Sequence, residues 1–167
     1  MDSKDYLQLL NDRLAPFFDV ERDRFFFGQQ MDFFAKSYVK HVRTFLTPKD
    51  VIDSYETFEY FLVKVFGRNL SLGDFQDFEA FLKQFQSAVV TPGREHMCSL
   101  INGIMVSEEG VASEVSKTIK RYAHAKSYLF SLKGWSEIRI AAVDLAKGEV
   151  VISRRGKKLQ KLCSLQK

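Results

Sequence analysis

Phe75, Phe78, Phe81, Leu82, Phe85 and Val89 recur at the spacing of one helix face, and Ser71 stands where an N-cap belongs. Pro92 and Gly93 end the segment, so the spacing predicts a helix over 71–89. A helix with so wide an aromatic stripe needs an apolar surface to lie on. The clearest source of one is 136–154, where two β-branched runs join through Lys147–Gly148 as a hairpin.

The other segments are assigned around these two. Tyr6, Leu7, Leu10 and Leu14 form a stripe behind a Ser3 cap, and Pro16 disfavours the helical conformation at Ala15. Gly28 sits between two aromatic runs and predicts a hairpin turn. Residues 31–46 fit a helical stripe through Met31, Phe34, Ala35, Tyr38, Val39 and Val42, but the preceding turn and the Phe/Tyr/Val content favour a strand. Residues 51–66 are read as a hairpin turning near Glu56–Thr57, with Phe61, Val63 and Val65 alternating on one face. A buried strand over 96–106 follows, then a helix over 109–124 with Val111, Val115, Ile119 and Tyr122 inward. "SYLFSLKGW" reads as a strand ending at Gly134, and a short terminal helix turns Leu159 and Leu162 inward.

The predicted order is α-βββ(β)-α-β-α-βββ-α. Strands mostly follow one another directly, so the expected class is α+β, a largely antiparallel sheet with packed helices, in a single domain over 1–167. The two halves read alike, and "AKSYV" (35–39) is echoed by "AKSYL" (125–129); a five-residue echo is common by chance, so it leaves a pseudo-duplication open and does not establish one. Of 16 phenylalanines, all but Phe130 precede residue 86, so the first half should have the aromatic core.

Charge is divided as sharply. Residues 1–112 hold 12 Lys/Arg against 17 Asp/Glu, a net of −5, and the remainder carries +9. Such asymmetry points either to an anionic partner or to pairing of a basic half with an acidic one, within a molecule or across a dimer. Lys117, Lys120 and Arg121 share a helix face by spacing, as do Lys157 and Lys161. With Arg154, Arg155 and Lys158 they would form a phosphate-binding stripe if both helices flanked one sheet face. No aromatic residue interleaves with the RRGKK run, and a terminal helix with inward leucines must show polar residues outward anyway.

Phosphate-loop and dinucleotide motifs are absent. The one nucleophile-like grouping is Glu95, His96 and Cys98; on a regular strand His96 and Cys98 would share a face. Trp135, the one tryptophan, follows Gly134 at a strand corner, where it either lines a ligand pocket with Arg139 or plugs the edge of the core. Asp32, Glu59 and Asp144, with Glu56, would serve a metal-dependent hydrolase or nuclease only if they converged in space. No catalytic set, metal site or cofactor is expected. Two cysteines, no basic leader and no apolar run long enough to cross a bilayer fit a cytoplasmic chain with no membrane association.

Through "AKSY", "EHMCSLINGIMV" and "KGWSEIRIAAVDLAKGEVV" the chain resembles an uncharacterised domain family of Gram-positive bacteria. The resemblance spans most of the length and implies a stand-alone cytoplasmic bacterial protein with no known activity. The aromatic and β-rich content, with no assembled catalytic set, gives the expectation of a non-catalytic, self-associating binding protein, with nucleic-acid binding and metal-dependent hydrolysis as alternatives.

Overall fold

A computed structural model describes residues 1–44 and 51–166, the side chains of residues 51 and 52 aside. The elements run α1 (Ser3–Leu14), β1 (Asp19–Phe26), β2 (Gln29–Thr44), β3 (Val51–Phe66), α2 (Leu72–Val89), β4 (His96–Ser107), α3 (Ser113–Arg121), β5 (His124–Ser127), β6 (Trp135–Asp144), β7 (Glu149–Ile152) and α4 (Leu159–Cys163). The class is α+β, as expected. One sheet is ordered β1-β2-β3-β4-β6-β5, and β7 pairs with the end of β6, beyond the stretch that β5 occupies.

The ladders β1–β2, β2–β3, β5–β6 and β6–β7 are antiparallel, as expected, and the sheet as a whole is mixed. Ladders β3–β4 and β4–β6 are parallel, and they form its centre. Parallel neighbours need a long crossover, and the stretches containing α2 and α3 supply it. Those central strands have neighbours on both faces, so their apolar residues run almost continuously. One core joins Leu62, Ile101, Met105, Ile138 and Ile140 to α2 and α3; the other joins Val63, Ile104, Val106, Ala141 and Val143 to α1 and α4.

Helix α2 is held by the aromatic face read from the sequence. Phe75, Phe78, Phe81 and Phe85 are all buried. Each buried Phe contributes about 1.5–3 kcal/mol, well above the few tenths that an aromatic residue costs in helix propensity. Ser71 caps the helix in a reciprocal box with Asp74, and Arg68 bonds the same carboxylate at 2.6 Å. In α1 the cap is Asp2, whose carboxylate takes the Asp5 N–H, and Ser3 is already helical.

Four readings are corrected here. Residues 51–66 form one continuous strand, because burial on both faces produced the broken alternation and Glu56–Thr57 has no turn-forming residue. The 109–124 helix shortens to Ser113–Arg121, since Val111 bridges to Leu70 and Ala112 donates to the Leu70 carbonyl. "SYLFSLKGW" contains a turn, because Leu129, Phe130 and Ser131 have φ of 48°, 51° and 67°. The halves are not duplicates: β1–β3 form a meander, whereas β5 and β7 both flank β6 on one side. The predicted strand over 31–46 is borne out to Thr44, and its last two residues lie outside the described ones. Among the described residues no helix is long and apolar enough to cross a membrane.

Candidate functional site

The beginnings of β4 and β6 lie side by side, and the groups singled out from the sequence gather there. Glu56 pairs with His96 and Thr57 with Cys98, so Met97 has no partner and bulges out, 45% exposed. The bulge breaks the alternation on which a His96–Cys98 pair depended. His96 turns to the α2/α3 side, where Nδ1 meets the Lys133 carbonyl at 3.0 Å and Nε2 meets Ser99 Oγ at 2.9 Å. A carbonyl only accepts, so Nδ1 is the donor to Lys133, and in the neutral ring Nε2 is then left to accept from the serine. Cys98 faces the other way, in register with Thr57 and Trp135. Burial pushes its thiol up, and the Glu59 carboxylate adds to this.

Gly134 seats the neighbouring loop against this bulge. Its φ is +83°, and a Cβ there would lie 2.3 Å from the His96 carbonyl oxygen and 2.7 Å from that of Met97. The loop before it is cross-tied from Lys133 N to the Tyr128 carbonyl, 3.1 Å, and from Leu132 N to that of Leu129, 2.9 Å. These ties hold three consecutive non-glycine residues in the left-handed region, at about 1–2 kcal/mol each. The result is to push apolar side chains outward: Leu129 is 58% exposed, Phe130 93% and Leu132 73%.

Beside this knob runs a groove of about 530 Å³. Tyr55, Met97, Leu132 and Trp135 give it apolar walls, and Arg43, Asp53, Arg94 and Glu95 supply charges of both signs. Glu95 accepts from Ser54 at 2.8 Å and from Lys40 at 3.1 Å; these bonds hold its carboxyl below the usual range.

Further along the face of Cys98, polar residues continue in rows. Glu59, Leu100 and Glu137 are in register, and so are Phe61, Asn102 and Arg139. Arg139 Nε donates to Glu137 at 2.5 Å, and Arg155 donates to the second oxygen at 2.9 Å. The structure thus brings Cys98, Trp135 and Arg139 onto one sheet face and places His96 on the opposite one.

The basic residues are split. Lys117, Lys120 and Arg121 ride on α3, which packs on one core through Val115 and Ile119. Lys161 rides on α4, which packs on the other core through Leu159 and Cys163. Arg154, Lys157 and Lys158 are exposed on the stretch that joins β7 to α4, and Arg155 is engaged by Glu137. The two helices therefore do not flank one sheet face, the condition on which the single stripe rested.

The carboxylates proposed for metal chemistry also stand apart. Asp32 accepts from Val65 N at 2.7 Å, Glu59 from Asn102 at 2.9 Å, and Asp144 from Val111 N at 3.0 Å. Among the described residues no three His, Cys, Asp or Glu side chains gather as a metal site. The hydrolase alternative loses the convergence it required.

Sequence reasoning missed Met97, Tyr55 and the exposed knob. A Phe isolated from all the others was the one available signal. A family model described as a domain of unknown function (DUF8052) matches residues 2–165, so the chain belongs to that family. The chain matches no curated protein and no solved structure.

Proposed function

We propose that this member of the DUF8052 family is a non-catalytic interaction domain that pairs with a second copy of itself through loop 128–134. The observation that carries the reading is Phe130, 93% exposed on a turn held in an unfavourable backbone conformation. Folding alone gives no return for either feature, since a buried Phe would contribute about 1.5–3 kcal/mol.

A second copy fits the surroundings. Ser131 and Leu132 belong to the knob and also line the groove, so the two surfaces are contiguous. A two-fold axis beside them sets each knob into the other copy's groove, as an isologous interface requires. The groove's charges suit the same operation, because Arg43 and Arg94 of one copy can meet Asp53 and Glu95 of the other. Covering Leu129, Phe130 and Leu132 supplies on the order of 6 kcal/mol per knob, about 12 for the two knobs of the pair, against an association cost of about 4–15 kcal/mol paid once. The pair is therefore expected to be reversible. The lack of catalysis is supported by the separate engagement of His96, Asp32, Glu59 and Asp144 in hydrogen bonds within the fold.

Light scattering and native mass measurement from about 1 to about 200 µM test this. A dimer fraction that rises with concentration is expected for the wild type, and Phe130→Asp should remain monomeric with an unchanged melting temperature. A wild type that stays monomeric at the top concentration, or a Phe130→Asp dimer of equal strength, overturns the proposal.

A further inference from the structure

Strand β2 outruns its outer neighbour. The β1–β2 ladder ends at the pair Asp19–Lys36, because the chain reaches Asp19 from α1 and the turn at Pro16. Beyond Lys36 the lane beside β2 is open, and among the described residues no strand pairs with that edge.

The register shows what the edge offers. Glu56 donates its N–H to the Glu95 carbonyl at 2.6 Å, on the β4 side. Opposed antiparallel residues exchange hydrogen bonds both ways or not at all, so Lys40, the partner of Glu56, also turns its N–H and C=O away from β3. Alternation along the unbroken register extends this to Tyr38 and Val42. Three backbone donors and three acceptors therefore face the open lane. The side chains around them are exposed on both faces of the sheet: Tyr38 is 54% exposed, Val39 44% and Val42 50%. An edge with these properties accepts an added strand.

Charge selects the occupant. From Lys36 to Thr44, β2 carries Lys36, Lys40 and Arg43 and no acid. Within the sheet each of these stands opposite a carboxylate: Asp19 on β1, and Glu56 and Asp53 on β3. Lys40 also meets Glu95 at 3.1 Å, and an ammonium has three donors to share. A strand in the open lane would lie about 4.8 Å from β2 and about 10 Å from β3, beyond a screening length of about 8 Å. The cations of β2 therefore outweigh the acids of β3 in setting its charge. A second copy would bring the same cations to the same edge, and edge lysines are a device against such pairing.

We propose that the edge of β2 over 38–43 binds an acidic, extended peptide as an added antiparallel strand. Opposite Arg43, Val42, His41, Lys40, Val39 and Tyr38 the occupant runs acid, apolar, polar, acid, apolar, apolar. The edge is separate from loop 128–134, and binding there does not require the chain to pair.

Fluorescence anisotropy on the full chain tests it with labelled Glu-Val-Thr-Glu-Val-Val, flanked by Gly-Ser for solubility, and with a control that has Lys in place of both Glu. The acidic peptide should bind about tenfold or more tighter than the control at about 50 mM salt, and the gap should narrow at about 500 mM. Val42→Pro removes one outward N–H without touching the β2–β3 ladder, so it should weaken the acidic peptide about tenfold. Its melting temperature shows whether it has folded. Lys40→Glu, which leaves the backbone unchanged, is the second variant and should remove the preference for the acidic peptide. The proposal is overturned if neither peptide binds, if both bind equally, or if a folded Val42→Pro or Lys40→Glu chain binds the acidic peptide as the wild type does. It is also overturned if native mass measurement finds a dimer that survives Phe130→Asp and is lost in Val42→Pro, since a second copy is then the occupant. The peptide titrations do not read pairing through the knob, so their failure leaves that reading standing, and a monomeric wild type leaves this one standing.

Discussion

Replacing Gly134 by Ala tests how the knob is held. Two costs add. The first is conformational: φ is +83°, where a residue with a Cβ loses about 1–2 kcal/mol. The second is overlap. The new Cβ would lie 2.3 Å from the His96 carbonyl oxygen, 2.4 Å from His96 Nδ1 and 2.7 Å from the Met97 oxygen. Two of these atoms are backbone, part of a bulge paired to β3, so no side-chain rotation relieves them. Overpacking of this kind costs about 1–3 kcal/mol, which brings the total to about 2–5 kcal/mol. Gly28 separates the two terms. Its φ is +76°, and a Cβ there would meet nothing within 4 Å. Gly28→Ala should lose the conformational term alone. Urea denaturation of both variants gives the comparison. With an m value of about 2 kcal/mol/M, an extra 1–3 kcal/mol lowers the midpoint of Gly134→Ala by about 0.5–1.5 M more than that of Gly28→Ala. Equal midpoints at equal m would refute the claim that the bulge fixes the loop by contact.

Cys98 and Cys163 should both resist an aromatic disulfide reagent near neutral pH, because burial raises the Cys98 thiol and pushes that of Cys163 up to about 12. Rapid reaction of one thiol in the folded state would contradict this, and both should react in denaturant. Burial lowers His124 below the ordinary histidine value of about 6.5, and Lys83 acts in the same direction. The unfolded chain therefore takes up a proton first as pH falls, so the stability contribution present above about 6.5 is lost as pH drops toward the folded value. His124→Gln should flatten the stability profile between about pH 5 and 7; an unchanged slope would assign it to another group.

Helix α2, the hairpin through Lys147–Gly148 and the β1–β2 turn were legible because each rests on local signals: a 3.6-residue stripe, a Lys-Gly pair that closes the loop 145–148, and a glycine between apolar runs. The single strand Val51–Phe66 was not. It is covered on both faces through its second half, so Leu62 is as inward as Phe61 and Val63, with Tyr60 half-buried beside it, and period-two reasoning has nothing to grip. The bulge at Met97 was equally hidden. It depends on the register between β3 and β4, strands joined through a helix, and no residue type announces it. That one insertion separated His96 from Cys98. The left-handed turn at Leu129–Ser131 was missed for a different reason: it is made of residues that ordinarily avoid it. Where local preference and observed backbone conflict in this way, a binding role is the economical explanation.

A similar conflict runs through the face of Asn102. On the α2/α3 side, the rows Tyr60–Ile101–Ile138 and Leu62–Gly103–Ile140 stay apolar or small along the sheet. On the other side the rows begin with Thr57–Cys98–Trp135 and Glu59–Leu100–Glu137, pass through Phe61–Asn102–Arg139, and become apolar at Val63–Ile104–Ala141. Helices α1 and α4 join the core at that apolar end. A short α4 of five residues and an α1 followed by Pro16 add little reach beyond it. Had burial been the sole requirement, continuing the apolar rows under longer helices would serve it at less cost than a buried amide with an empty acceptor. Buried polar groups also occur on the α2/α3 side, at Ser99, Ser136 and Asp144, but those are hydrogen-bonded, whereas Asn102 Oδ1 is not. Asn102 sits on parallel strands whose positions are fixed from both sides, so the backbone around it has little freedom to bring a donor to that oxygen.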